Sequence, residues 1–177
     1  MAKIMDNQST GLQRHRSLHP RKPEPKTPSL QLLIFKVGTL CLALPIQWVY
    51  KVTYYEAVYG SGLSDVGLTQ IDNSNVTVID LHRRIFQSKQ ACRLSTKPCL
   101  VIVQGRNREL YGLLVEDTPT LIDLPRSSIR VLPEAYRKAD TLDIAKHVAI
   151  VPQGEEKRTI FLIDIVQLLK HIHPHSE

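Results

Sequence analysis

The stretch Val76-Thr77-Val78-Ile79-Asp80-Leu81-His82-Arg83-Arg84-Ile85 decides the fold, because the chain contains a second version of it. Aligned on the aspartate, the second version reads Ile160-Phe161-Leu162-Ile163-Asp164-Ile165-Val166-Gln167-Leu168-Leu169. In both, four apolar or β-branched residues predict a short buried strand. An Asp then stands where a helix would begin, and its carboxylate can accept the free N–H groups of the first turn. We therefore predict that Asp80 and Asp164 cap two helices in two related subdomains.

The repeat extends upstream to a pair of predicted β-hairpins. The first joins residues 32–37 to residues 40–44 through Gly38-Thr39, with the glycine first, as a type II′ turn requires. The second joins residues 100–104 to residues 110–115 through a polar loop. A brief turn and a further strand follow each hairpin. The order of elements is the same in both halves: a hairpin, a strand, a connecting segment of variable length, a second strand and a capped helix. This repetition indicates a duplicated small β-barrel.

The composition favours a soluble protein with a β-rich core. The chain has 177 residues and is 42% hydrophobic, which is enough for one domain or for two small ones that share a core. No apolar run approaches the roughly 18 to 20 residues of a membrane helix, so we expect no membrane insertion. Cys41, Cys92 and Cys99 are odd in number and form no C-x-x-C pair. Without a signal peptide, this usage predicts free thiols and a cytoplasmic location.

The positive charge is concentrated at the N-terminus. Residues 1–28 hold six lysines and arginines against two acidic residues, a charge of +4 out of a formal +6 for the whole chain. Four prolines and few apolar residues predict that this basic arm is disordered. An arm that binds nucleic acid or anionic lipid is one interpretation, and a solvated tail is the one we favour because the charge is dilute. Residues 171–177 form a polar tail.

Catalytic and metal-binding motifs are not found in the sequence. It contains no Walker A loop, no H-E-x-x-H and no nucleophile elbow, so we predict a non-enzyme without cofactor or metal. Asp80 and Asp164 are also candidates for an acid and base pair, but their shared place at helix starts favours capping. His171, His173 and His175 alternate in the tail, where a preorganised metal site is not expected.

A group of tyrosines offers one alternative function. Tyr50, Tyr54, Tyr55 and Tyr59 lie around Lys51 and would suit a platform on which nucleic-acid bases stack. No further basic residues are interleaved with them, so we interpret them as ordinary core and surface tyrosines. Nucleic acid is therefore an unlikely partner, and a small β-barrel that binds nucleic acid through its basic arm remains the alternative hypothesis.

Taken together, the hairpins and the repeated stretch resemble the CheW-like domain family over about residues 29–170. The resemblance is carried by the motifs Ile34-Phe35-Lys36-Val37-Gly38, Leu42-Ala43-Leu44-Pro45-Ile46, Gly67-Leu68-Thr69-Gln70-Ile71, Tyr111-Gly112-Leu113-Leu114-Val115 and Leu162-Ile163-Asp164. It implies a mainly β fold of two five-stranded SH3-like β-barrels that share a core, with short helices. We place the entwined subdomains at roughly residues 29–90 and 98–170.

The resemblance also implies a function and partners. It implies a non-catalytic adaptor that couples chemoreceptors to a CheA-type histidine kinase in chemotaxis or motility signalling, recruited from the cytoplasm to receptor arrays. Barrel surfaces would bind the regulatory domain of the kinase, and a groove between the barrels would receive the receptor tip. The expected partner-binding residues are Ile46, Val49, Val52, Gln70, Asp72 and Asn73.

Three positions depart from the family pattern. The family usually has an Arg-Gly pair where this chain has Asp72-Asn73, so a forked cationic donor is replaced by an anionic acceptor. A contact that used the arginine would become repulsive, so either the partners carry compensating changes or one of the two contacts is lost. The other interpretation is that Asp72-Asn73 is an ordinary turn. In the second barrel, His147 stands where the family often has glycine.

Overall fold

The computed structural model describes residues 28–55, 65–87, 98–105, 108–138, 142–170 and 172. The predicted N-terminal arm up to residue 27, residues 88–97 and nearly all of the tail lie outside these residues. The strands are β1 (Ser29–Val37), β2 (Leu40–Pro45), β3 (Val49–Tyr54), β4 (Val66–Ile71), β5 (Ser74–Asp80), β6 (Cys99–Gln104), β7 (Leu110–Val115), β8 (Thr120–Pro125), β9 (Ile129–Val131), β10 (Ala145–Gln153) and β11 (Glu156–Ile163). The helices are α1 (Leu81–Phe86), α2 (Glu134–Lys138) and α3 (Ile165–Lys170), and 3-10 turns cover Ile46–Trp48 and Arg126–Ser128.

The strands form two sheets. One has the order β8-β1-β2-β11-β10-β9, and the other has the order β3-β6-β7-β5-β4. The predicted fold class, two small β-barrels with short helices, is confirmed, and the first sheet adds β9 as a sixth, three-residue strand.

The two halves of the repeat exchange their hairpins. The β1-β2 hairpin joins β10-β11 of the second half through a parallel contact between β2 and β11. The β6-β7 hairpin joins β4-β5 of the first half through a parallel contact between β5 and β7. Each sheet therefore combines a hairpin from one half with strands from the other, and neither 29–90 nor 98–170 contains a whole sheet.

A common core joins the two sheets. Phe35 and Leu42 of the first sheet belong to the same buried cluster as Ile79 and Leu113 of the second, and Leu168 of α3 completes it. Four of these five side chains have no measurable exposed area. Since full burial of one such side chain contributes about 1.5 to 3 kcal/mol, the core stabilises the two sheets as one unit.

Both repeated stretches place an aspartate at a helix start. In α1 the Arg83 N–H donates to Asp80 Oδ1 at 3.0 Å, and in α3 the Gln167 N–H donates to Asp164 Oδ1 at 3.1 Å. Each carboxylate therefore accepts one of the free N–H groups of the first turn, where a capping side chain typically contributes about 1 kcal/mol.

Two hairpin turns depend on backbone in the left-handed region. Gly38 has a φ of 56°, as the first position of a type II′ turn requires, and its N–H donates to Glu116 Oε1 at 2.7 Å. Asp72 and Asn73 have φ of 49° and 63°, which form a type I′ turn between β4 and β5. The sequence predicts a turn over residues 72–75, but this turn needs only two residues, so β5 begins at Ser74, which pairs with Ile71.

The described cysteines are free thiols inside the fold. Cys99 is buried and Cys41 is half-buried, whereas Cys92 lies outside the described residues. Burial raises the pKa of the Cys41 thiol, although the nearby Arg158 and Lys36 act in the opposite direction. Among the described residues, no helix has the length and apolar character that crossing a membrane would require.

Candidate functional site

The described residues offer surfaces rather than a cluster of reactive groups. Among them, no three His, Cys, Asp or Glu side chains are grouped as metal ligands would be, and His171, His173 and His175 lie outside them. The His82 ring lies 4.9 Å from the Phe86 ring, centroid to centroid, and so packs within its own helix. The candidate sites are therefore exposed apolar surfaces and grooves.

The first candidate surface lies on the two edge strands of the five-stranded sheet. Along β3, Tyr50, Val52 and Tyr54 are exposed while the alternating residues are half-buried. On β4 at the other edge, Leu68 and Gln70 are exposed. We call these five residues the edge strip. Exposed tyrosine beside aliphatic side chains is typical of protein interfaces.

An ion pair brings the two edges together. Lys51 Nζ on β3 lies 2.5 Å from Asp72 Oδ2 in the β4-β5 turn, with the two side chains 39% and 71% exposed. Asp72 is thus paired within the chain and does not present an isolated negative charge to a partner. Lys51, which lies between Tyr50 and Tyr54, is therefore already paired with a carboxylate. This weakens the interpretation of these tyrosines as a nucleic-acid platform.

We expect the Lys51–Asp72 pair to contribute a small, measurable coupling. The variants Lys51→Met, Asp72→Asn and their combination form a double-mutant cycle, and Asn retains the tolerance of a left-handed backbone. Because the pair is largely exposed and screened by solvent, urea unfolding should give a coupling of about 0.2 to 1 kcal/mol, smaller at high salt. A coupling of zero at low salt would contradict this prediction and mean that the pair does not stabilise the fold.

The second candidate surface is an open groove of about 610 Å³ beside the 3-10 turn that leads from β2 to β3. We call it the Trp48 groove. Its lining residues are Leu30, Pro45, Trp48, Arg126, Ile129, Val131, Lys146, His147, Leu162, Ile163, Asp164, Ile165 and Val166. Leu162, Ile163 and Ile165 are buried, Leu30 and Ile129 are half-buried, and Trp48 and Val131 are exposed, so the last four residues contribute accessible apolar surface to the groove.

Four of the six residues predicted to bind partners lie in the edge strip or in the turn beside it. Val52 and Gln70 belong to the edge strip, and Asp72-Asn73 form the turn beside it. Ile46 is half-buried in the 3-10 turn, and Val49 packs against the common core. None of the six is among the residues that line the Trp48 groove.

Sequence reasoning did not select the groove residues Trp48, Arg126 and Lys146, and it noted His147 only as a departure from the family. The sequence did contain one signal for two of these residues, Trp48 and Arg126. Pro45 and Pro125 each precede a 3-10 turn and a strand, so Trp48 and Arg126 occupy two turns of the same type. That these turns lie at the same groove follows from strand pairing, which a linear reading does not show.

Comparisons with known proteins agree with this architecture. A sequence model of the CheW-like domain matches residues 31–173. The crystal structure of the scaffolding protein TtCheW from Thermoanaerobacter tengcongensis is similar, with a TM-score of 0.65 and 18% identity, over 86% of this chain and 91% of that chain. A search of curated proteins found no match. At 18% identity the structural similarity indicates the fold, and the family match covers most of the chain. The chain therefore belongs to the CheW-like domain family of chemotaxis scaffold proteins.

Proposed function

We propose that this protein is a non-catalytic adaptor that couples chemoreceptors to a CheA-type histidine kinase. The observation that carries the proposal is that one shared core supports two separate surfaces, the edge strip and the Trp48 groove. An adaptor needs two surfaces that can be occupied at the same time. Binding of this kind requires complementary shape and modest buried area, and no reactive group.

The edge strip suits the regulatory domain of the kinase. Its exposed side chains carry no net charge, and the neighbouring Lys51–Asp72 pair is internally neutralised. Tyrosines supply a large contact area at a low cost in conformational entropy. A β-sheet surface of a homologous domain, with apolar residues of its own, is a partner that such a strip can pack against.

The Trp48 groove suits the helical tip of a chemoreceptor. Its accessible apolar residues include Trp48, Ile129 and Val131, and charged residues are exposed in the same lining, so an amphipathic helix can place its apolar face on these three residues. This is the usual mode in which a helix binds to a groove. The groove and the strip share no lining residue, which leaves both partners free to bind at once.

Two single-surface variants test this assignment. We expect Tyr50→Ala/Tyr54→Ala to weaken binding of the kinase regulatory domain from the same genome by tenfold or more, and to leave binding of a receptor tip fragment unchanged, because alanine removes the exposed aromatic contacts. Trp48→Ala should have the converse effect. Isothermal titration of the full chain with each partner measures both.

The matched control is Tyr136→Ala, since Tyr136 is 61% exposed and lies outside both surfaces. It should change neither affinity. If the wild-type protein binds neither partner, the adaptor proposal is wrong, and if Trp48→Ala weakens the kinase contact instead, the two surfaces have been assigned in the wrong order.

A further inference from the structure

The charged residues of the Trp48 groove are mostly basic. Arg126 and Lys146 are exposed at the groove, and the half-buried His147 lies next to Lys146. Asp164 is the acidic residue of the lining, and its Oδ1 already accepts the Gln167 N–H as a helix cap. An occupant that carried negative charge beside its apolar face would meet cations at this groove.

The basic N-terminal arm is attached at the same place. The Arg126 N–H donates to the Pro28 carbonyl oxygen at 3.0 Å, and Leu30 lines the groove. Residues 1–28, with their formal charge of +4, therefore join the fold at the groove. Because like charges repel, the basic residues of this segment are poorly suited to occupying a groove lined by Arg126 and Lys146.

The geometry of the Trp48 groove also favours a helix over other kinds of occupant. β9 borders the groove and is three residues long, so an added strand would gain few backbone hydrogen bonds from it. Apart from Trp48, the apolar lining residues are aliphatic or proline, whereas single-stranded nucleic acid binds to basic grooves in which several aromatic side chains stack with successive bases. A helix with one apolar face and one acidic face satisfies both the apolar and the charged residues of the groove.

We propose that the Trp48 groove selects an acidic amphipathic helix, and that Arg126 and Lys146 determine this charge preference. The inference rests on the proposed function, in which the groove receives a helix, and it adds the chemical class of that helix. The carboxylates of the helix approach Arg126 and Lys146 while its apolar face covers Trp48, Ile129 and Val131.

The test uses two designed helical peptides of 20 residues without tryptophan. They share one face of Leu and Ile and differ in the polar face, which carries Glu and Gln in one peptide and Lys and Gln in the other. Trp48 is the single tryptophan of the chain, so its fluorescence in the full-length protein reports directly on occupancy of the groove. We expect the Glu peptide to bind about tenfold or more tightly than the Lys peptide, with a difference that shrinks at high salt.

Charge reversal identifies the residues responsible. Arg126→Glu/Lys146→Glu should invert the preference, because both side chains are exposed and their replacement leaves the core intact. The matched control Lys36→Glu/Lys157→Glu changes the net charge equally at exposed positions outside the groove, and should keep the preference. Deletion of residues 1–27 should slow association with the Glu peptide without inverting the preference.

Three outcomes would overturn the inference. They are equal affinity for the two peptides, no Trp48 response to either, and a single-stranded oligonucleotide that displaces the Glu peptide in an Arg126- and Lys146-dependent manner. Binding of the receptor tip fragment distinguishes a failure of this charge preference from a failure of the adaptor proposal. If the charge-reversed variant still binds that fragment with wild-type affinity, the adaptor function stands and only the charge preference is wrong.

Discussion

Residues 1–90 and 98–177, expressed separately, should each fail to fold. Each fragment lacks the hairpin that the other half supplies to its sheet, since β1-β2 pairs with β11 and β6-β7 pairs with β5. Each also loses part of the common core, which contains Leu42 of one half and Leu113 of the other. The expected loss is the entire stability of the domain, of the order of 5 to 15 kcal/mol.

Amide dispersion in heteronuclear NMR spectra and cooperative urea unfolding measure this loss. Mixing or coexpressing the two fragments should restore the spectrum of the intact chain, because the exchanged hairpins bind the fragments together. The control is a full chain with a protease site inserted between residues 90 and 98, which should remain folded after cleavage. A dispersed spectrum and a cooperative transition from either fragment alone would contradict the exchange of hairpins.

Substituting Gly38 should have the second largest effect. An alanine Cβ at this position would lie 2.8 Å from Phe86 Cε2, at a backbone φ of 56°. The left-handed backbone and the steric overlap each destabilise the native state, so we expect Gly38→Ala to lower the free energy of unfolding by about 2 to 4 kcal/mol. Urea denaturation of the two proteins gives this difference.

Gly154 provides a matched control for that experiment. It has a φ of 63° in the β10-β11 turn, and an added Cβ would meet no atom within 4 Å. Gly154→Ala should therefore cost only the backbone contribution, about 1 to 2 kcal/mol. Phe86→Leu removes the two ring atoms nearest to the added Cβ, so it should recover part of the loss in Gly38→Ala. Equal losses at the two glycines would mean that Phe86 does not pack against the turn.

Local patterns in the sequence predicted most of the elements correctly. Alternating and continuous apolar runs predicted the β1-β2 hairpin, the β6-β7 hairpin and the strands before the two helices. Strand ends were less accurate, and β5 begins two residues before the predicted Val76. The reason is that Ser74 and Asn75 resemble turn residues in isolation, while the type I′ turn at Asp72-Asn73 leaves them free to pair with β4.

The candidate site was predicted only in part. Val52, Gln70, Asp72 and Asn73 were selected through resemblance to the family, and they lie together on the five-stranded sheet or at its turn. The partner of Asp72 was not foreseen, because Lys51 is 21 residues away and the pair forms only when the sheet curves until its edges meet. Val49 was expected at a partner surface, and its packing against the core depends on the same curvature.

By itself, the sequence determined the repeat, the helix caps and the positions of the hairpins. These features depend on side-chain chemistry within a few residues, such as an Asp before a helix or a Gly at the first position of a turn. The tertiary structure alone decided which hairpin joins which half, and it brought Trp48, Arg126 and Lys146 to one groove. Strand pairing joins residues far apart along the chain, and both pairings of the hairpins would satisfy the same apolar pattern, so only the packed core distinguishes them.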